Sequence, residues 1–374
     1  MRHGMFTVAT GSFLLAMVAC GSEDGSQFTD TNEPPPGNGV PNGASLSDLG
    51  PEGTASACVN QLSGAELTPA NLVIMYDKSG SMGDLPDFDP ALKWNPVNAG
   101  MKQFFADPYS STLRASLQFF PQNDIDIPTA CAFSYATPKV ALTMASDPAF
   151  VSTLDATKPQ GGTPTLPALN GAIAYAKSIQ ADRPEDKTVV VLVTDGEPGF
   201  FDPTKNAFVP GCPNNDIAHV AGAAREAFTS AKIPTFVIGV GPSLDKLNTV
   251  ASAGGTGAAI MVNVNDPAKT KSQIVNALGQ IRKSVVACDF SIPPAPEGEE
   301  LDPFAVNVAL TNADGSEKIL GYSVECGSAE GWRYDNPASP KRIILCSAAC
   351  DAARTSPTGK ISLAFGCKTQ IDLR

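Results

Sequence analysis

Asn71-Leu72-Val73-Ile74-Met75-Tyr76-Asp77-Lys78-Ser79-Gly80-Ser81 is the stretch that decides the fold. Its first half is an unbroken apolar run, the pattern of a strand buried on both faces of a parallel sheet. Its second half is a polar turn opened by an aspartate at the strand's carboxyl end. Val189-Val190-Val191-Leu192-Val193 repeats the arrangement and ends in Thr194-Asp195-Gly196, and Thr235 to Val240 is a third buried strand. Leu113, Ala115, Leu117 and Phe119 alternate with Arg114, Ser116 and Gln118, which predicts a half-buried strand. A further strand is expected from Ala258 to Val264. Helical spacing joins Val97, Met101, Phe104 and Phe105, then Leu166, Leu169, Ile173 and Ala176, then Ile217, Val220, Ala224 and Phe228. Leu244 and Leu247 mark a short helix, and Ile274, Leu278, Ile281 and Val285 mark the last. Strands alternating with helices predict an α/β fold, a doubly wound and mostly parallel sheet flanked by helices. Such sheets bind ligands outside the carboxyl ends of their strands, at a topological switch point. Asp77 and Asp195 both stand at such ends.

Outward from this core the texture changes in both directions. After Cys288, Ile292-Pro293-Pro294-Ala295-Pro296 reads as an extended linker. Phe304 to Leu310, Ile319 to Val324, Arg342 to Leu345 and Lys360 to Phe365 read as strands. Residues 289–374 are therefore expected to form a small disulfide-rich β unit, stabilised by its cysteines. Toward the N-terminus, residues 20–57 are polar and rich in Gly, Ser and Pro, the composition of a disordered tether. Residues 1–19 read as a signal peptide: Arg2, then Phe13-Leu14-Leu15-Ala16-Met17-Val18-Ala19, an apolar run too short to span a bilayer. Met17-Val18-Ala19-Cys20 resembles a lipobox, with Cys20 the lipidated residue. Residues 58–288 are left as the α/β domain.

Composition narrows the function classes. The formal net charge of −12 repels phosphate backbones and anionic lipid heads, so nucleic-acid binding is not expected. Only two histidines are present, His3 and His219, and His3 lies in the signal segment, so a multi-histidine zinc site is excluded. His219 reads as an ordinary helix residue, with Asp216 three positions back on the same face. Of nine cysteines, Cys20 is assigned to lipidation. The remaining even set (Cys58, Cys131, Cys212, Cys288, Cys326, Cys346, Cys350 and Cys367) fits disulfides in an exported chain. Cys346 and Cys350 have spacing that also suits half a metal site, but export favours disulfides.

Three short motifs carry the chemistry. Asp77-Lys78-Ser79-Gly80-Ser81 follows the first strand, Gly161-Gly162-Thr163-Pro164-Thr165 precedes a helix, and Thr194-Asp195-Gly196-Glu197 ends a later strand. A hard divalent cation takes about six oxygens in near-octahedral array. Two serine hydroxyls on a tight loop, a threonine hydroxyl and two carboxylates form such a donor set. Neutral hydroxyls leave most of the cation's charge uncancelled, so an acidic side chain from a partner can complete the sphere. In this order the motifs resemble the metal-ion-dependent adhesion site of the von Willebrand factor type A (VWA) family, over roughly residues 70 to 285. The resemblance implies Asp77, Ser79, Ser81, Thr163 and Asp195 as the metal set, for Mg2+ or alternatively Mn2+ or Ca2+. Thr165 is a rival for the threonine role. Lys78 and Glu197 stand close to the set. Asp84 falls where integrin-type members carry a second-metal aspartate, but Leu85 replaces another, and Asp84, Asp87 and Asp89 read as solvated loop acids. Gly331-Trp332, the Cys346 and Cys350 pair and Gly366-Cys367 resemble the cysteine-rich tail of VWA lipoproteins.

The resemblance also implies that the domain's ends lie together. A Cys58–Cys288 clip is then expected, with Cys131 paired to Cys212 and the last four cysteines paired among themselves. The function it implies is non-enzymatic: a cation-dependent protein-binding module for adhesion or assembly. Its partner would present an Asp or Glu carboxylate. The chain would be exported and lipid-anchored in the cell envelope, at the outer membrane or cell surface. Two alternatives stand beside it. One is a structural envelope lipoprotein with a vestigial site. The other is a Mg2+-dependent phosphotransferase using Asp77 as nucleophile, which lacks a second aspartate because Ser79 stands in that place.

Overall fold

The structure is a computed structural model. It describes residues 61–66, 70–83, 89–108, 110, 113–122, 127–202, 204–242, 244–286, 288–292, 302, 305–311, 316–327, 330–354 and 360–365. The signal segment, Cys20, the tether, Cys58, Asp84, Leu85, Asp87 and Cys367 lie outside the described residues. The chain begins with β1 (Gln61–Glu66), β2 (Ala70–Asp77), α1 (Trp94–Ala106), β3 (Leu113–Phe120), α2 (Ile127–Ala132), β4 (Val140–Met144) and α3 (Ala149–Ala156). It continues with α4 (Thr165–Asp182), β5 (Lys187–Thr194), β6 (Phe200–Asp202), β7 (Ala207–Val209), α5 (Ile217–Ala231), β8 (Thr235–Val240), α6 (Leu247–Ala253), β9 (Ile260–Val262) and α7 (Pro267–Val285). The C-terminal part holds β10 (Asp289–Ser291), β11 (Val306–Thr311), β12 (Glu317–Leu320), β13 (Trp332–Tyr334), β14 (Arg342–Leu345), α8 (Ser347–Arg354) and β15 (Lys360–Phe365).

A six-stranded sheet runs in the order β4-β3-β2-β5-β8-β9. Every neighbouring pair is parallel except β3 with the edge strand β4. Side chains alternate between its two faces. Leu72, Ile74 and Tyr76 of β2 join one core with Met101 and Phe104 of α1 and Ile274 and Ile281 of α7. Val73 and Met75 join the other, with Leu169 and Ile173 of α4 and Val220 of α5. Both faces are thus covered, as the continuous apolar runs required. The order of the strands reverses direction between β2 and β5. Asp77 and Asp195 sit at the carboxyl ends of that pair, which is the sheet's switch point.

The structure corrects several sequence readings. β3 is buried on both faces, because β4 and β2 flank it and helices cover it: Ser116 is 1% and Gln118 2% exposed. Arg114 and Gln118 turn to internal partners, while the buried Ser116 hydroxyl has no hydrogen-bond partner among the described residues. Gln118 donates to the Thr137 carbonyl, accepts from the Phe119 amide at 3.0 Å and binds Gln122 at 2.6 Å. The strand expected from Ala258 to Val264 shortens to β9, and that from Ile319 to Val324 stops at Leu320. Beyond Leu320 the chain runs beside β13, Tyr322 bridging Trp332, before it turns at Cys326, which has φ +54°.

The C-terminal part holds two antiparallel sheets, β1-β15-β11-β12 and β10-β14-β13. β1 pairs along its whole length with β15, Gln61 opposite Phe365, so residues 61–66 complete the C-terminal sheet rather than the parallel one. Val306, Val308, Trp332, Ile343 and Leu363 share one continuous core with Ile281 and Val285 of α7. Cys131 is bonded to Cys212, Cys288 to Cys350 and Cys326 to Cys346. The expected Cys58–Cys288 clip is therefore wrong. β10 pairs with β14, and the Leu345 amide donates to the Cys288 carbonyl at 2.8 Å, which carries Cys288 to the start of α8 and Cys350. A peptide map of the unreduced protein is expected to link the Cys288 and Cys350 peptides. A Cys58–Cys288 peptide would contradict that connectivity.

Candidate functional site

Asp77 ends β2 with its side chain fully buried. One carboxylate oxygen accepts the Ser79 amide at 2.7 Å and the other accepts the Thr194 hydroxyl at 2.6 Å. Asp77 therefore shapes the serine loop and ties β2 to β5 at the switch point. Burial, and then the neighbouring Asp195 carboxylate, push the Asp77 carboxyl well above its ordinary range; the Ser79 and Thr194 hydrogen bonds oppose the rise. Beyond Asp77 the chain makes a single 3-10 turn, Gly80–Met82. The Ser79 and Ser81 hydroxyls lie 3.1 Å apart, and the Ser81 hydroxyl donates to an Asp195 oxygen at 2.8 Å.

Thr163 reaches the same place on a second loop. The Gly80 amide donates to the Gly161 carbonyl at 2.8 Å, joining the two loops. Thr163 exchanges backbone hydrogen bonds with Gly199, 2.8 and 3.1 Å, and its carbonyl accepts the Asn215 side-chain amide at 3.0 Å. Asn215 is 1% exposed and also binds the Pro210 carbonyl and the Leu166 amide, so it locks the loop to the start of α4. Thr165 is 1% exposed, and its hydroxyl turns to the Thr163 carbonyl at 3.4 Å rather than outward.

Ser81, Thr163 and Asp195 converge on one cleft of about 820 Å3. Lys93, Glu197, Phe208, Asn215 and Lys246 also line it. Glu197 is held by Lys246 at 2.8 Å. Lys78 points elsewhere, into a separate cleft of about 340 Å3 with Lys139 and Lys158. His219 contacts Asp216 at 2.9 Å on the exposed face of α5, where Asp216 also caps the helix by accepting the His219 amide.

Three contributors belong to none of the sequence motifs. The hairpin β6–β7 walls the cleft, with Phe208 and Phe201 edge to face at 5.6 Å and largely exposed. It is fastened by Phe200, which packs with Ala130 and Cys212 beside the Cys131–Cys212 bridge. Asn215 is the second. Lys93 is the third: its Nζ donates to Asp195 at 2.6 Å and to the Ser81 carbonyl at 3.1 Å.

The donor set is one of oxygens only. Among the described residues no three His, Cys, Asp or Glu side chains gather as a metal cluster. Hydroxyls with one or two carboxylates suit a hard cation such as Mg2+ or Mn2+ and not a soft one.

No protein-family model matches the chain, and no curated protein matches it. Solved structures do. One is the pilus adhesin SpaC of Lactobacillus rhamnosus GG, at 12% identity and a TM-score of 0.43, over 81% of this chain and 40% of SpaC. Another is the vWF domain of the type V pili tip protein Mfa5 of Porphyromonas gingivalis, at 13% and 0.39, over 62% of this chain and 100% of that domain. Manganese-loaded TRAP protein of Plasmodium vivax is similar at 16% and 0.35, over 57% of this chain and 76% of that one. The chain thus spans less than half of SpaC. Its own strand order and switch point establish the doubly wound fold.

Proposed function

We propose that this chain is a divalent-cation-dependent protein-binding module for adhesion or assembly, exported and tethered to the cell envelope through Cys20. One observation carries the reading: Ser81, Thr163 and Asp195, brought from three separate loops, line one cleft at the switch point of the sheet. Ser79 and Asp77 stand directly behind them. Ser79, Ser81 and Thr163 would hold the ion by their hydroxyls, with Asp195 as the charged member in the cleft and Asp77 adding its charge from behind the serine loop. When bound, Mg2+ or Mn2+ supplies an electrophilic position for a partner's Asp or Glu carboxylate. The chain's own part is placement. Asp77 fixes the serine loop, Asn215 fixes Thr163, and the β6–β7 hairpin adds an apolar wall against which the partner packs.

A binding role fits better than catalysis. Both oxygens of Asp77 are engaged inside the protein and the residue is fully buried, so it presents no nucleophile to the cleft. Among the described residues no helix is long and apolar enough to cross a membrane, and envelope attachment is assigned to the lipobox.

The test is calorimetric titration of Mg2+ and Mn2+ into the oxidised full chain, beside its Ser79→Ala/Ser81→Ala variant, with and without excess acetate as a surrogate carboxylate. Stoichiometric binding by the parent and none by the variant is the expected result. No binding by the parent, even with acetate present, would overturn the proposal and favour a structural envelope protein with a vestigial site.

A further inference from the structure

Lys93 places a positive charge where a divalent cation would have to share its carboxylate. Its Nζ is 2.6 Å from one Asp195 oxygen and 3.1 Å from the Ser81 carbonyl. The other Asp195 oxygen accepts the Ser81 hydroxyl. The Asp195 side chain is fully buried and that of Lys93 only 15% exposed, so the pair is shielded from solvent and salt. Nor is Lys93 on a wandering loop. Its carbonyl accepts the Val97 amide at 3.0 Å, and the next residue, Trp94, stacks on Tyr76 of β2 at 5.1 Å. The start of α1 therefore fixes the ammonium in the wall of the cleft.

We propose that Lys93 is a tethered counter-ion that competes with the divalent cation for Asp195. It thereby couples metal loading to arrival of the partner's carboxylate. The inference rests on the function proposed above and deepens it. Without a metal, Lys93 neutralises Asp195 and makes a buried carboxylate tolerable. A divalent cation entering between the serines and Asp195 meets like charge a few ångströms away, which weakens its binding. A carboxylate from the partner adds the negative charge that both cations lack, so metal and partner bind better together than apart. Such coupling is reciprocal. Removing the ammonium shifts the site toward loading by metal alone and shrinks the benefit conferred by the partner.

The experiment compares the full chain with Lys93→Met and Lys93→Arg, titrated with Mn2+ alone and with Mn2+ in excess acetate. Melting in EDTA is recorded for each. Lys93→Met is expected to bind Mn2+ alone about tenfold more tightly or better, to gain less from acetate than the parent, and to melt lower in EDTA. Lys93→Arg, which keeps the charge, is expected to follow the parent. Should Lys93→Met fail to fold, Lys93→Gln replaces it with a polar side chain that keeps a donor for Asp195. Unchanged or weaker Mn2+ affinity in a folded, uncharged variant overturns the inference and leaves the proposed function standing. No binding by the parent or by any variant, with or without acetate, removes both. Binding of Mn2+ without acetate by Lys93→Met, where the parent binds only with acetate, supports the competition directly.

Discussion

Trp332→Ala is expected to lower the melting temperature of the whole chain, parallel sheet included, in a single transition. Trp332 is fully buried, its indole N–H donates to the Leu320 carbonyl at 3.0 Å, and its ring meets Tyr322 at 5.0 Å and Tyr334 at 4.9 Å. Truncation removes the largest fully buried side chain, opens a cavity and leaves a buried carbonyl without its donor. Buried Trp to Ala changes cost about 3–5 kcal/mol, a large part of the roughly 5–15 kcal/mol by which domains are stable. The loss propagates because the C-terminal β unit does not own a separate core. Val306, Ile343, Leu363 and Trp332 belong to the same buried cluster as Ile274, Ile281 and Val285 of α7, which packs on α1 and against β9 of the parallel sheet. β1, from the front of the chain, closes the edge of the C-terminal sheet beside β15. Differential scanning calorimetry should therefore show one endotherm moved to lower temperature. Two endotherms, with the upper one unmoved, would show that the β unit unfolds on its own.

What the sequence made legible follows from how local each signal is. β2, β5 and β8 stand out because a strand covered on both faces has to be apolar at every position. Asp77, Ser79 and Ser81 stand out because they fall within five consecutive residues that begin at the end of such a strand. β3 departs from the half-buried expectation for a physical reason: Arg114, Ser116 and Gln118 alternate as if facing water. In fact Arg114 pairs with Asp186 at 2.8 Å, and Gln118 satisfies itself on backbone and on Gln122. Alternation reports polarity, not solvent. Strand β1, Gln61-Leu62-Ser63-Gly64-Ala65-Glu66, carries little strand signal of its own. Its pairing is with residues some three hundred positions away, which no local pattern encodes.

The site divides in the same way. The residues that resemble a metal motif are those set in short fixed spacings at strand and helix ends. Lys93 lies 102 residues from Asp195 and in no motif, so only the tertiary fold shows that the two meet. Asn215 has a faint local mark, standing just before the Asp216 cap of α5, yet its work is done on Thr163 and Leu166, about fifty residues earlier. The disulfides show the same limit. Parity indicated pairing, but the partner of Cys288 was set by β10 lying against β14.

Gly162→Ala is expected to damage the site without touching a single proposed metal ligand. A Cβ at position 162 would lie 2.0 Å from Cδ1 of Phe200, 2.5 Å from Cε1 and 2.7 Å from Cγ. No rotation of so small a group relieves three contacts with one ring, so the ring has to move. Phe200 is 6% exposed and packs with Ala130 and Cys212 at the bridge that fastens the hairpin, so leaving costs burial as well as strain. Overpacking of this kind costs about 1–3 kcal/mol. The consequence for the site travels one residue in each direction: Gly199, beside Phe200, holds the Thr163 backbone through two hydrogen bonds, and Thr163 follows Gly162. Displacing the ring therefore displaces the threonine hydroxyl from the serine pair, and Mn2+ affinity should fall along with stability. Phe200→Ala makes the cause testable. Alone it destabilises by opening the small core around Cys131 and Cys212. Combined with Gly162→Ala it removes the atoms that clash, so the double variant should be more stable than the sum of the two single losses requires. A double-mutant cycle that is strictly additive in both melting temperature and Mn2+ affinity would mean that Phe200 does not transmit the effect. The hairpin would then be a wall of the cleft and no part of what positions Thr163.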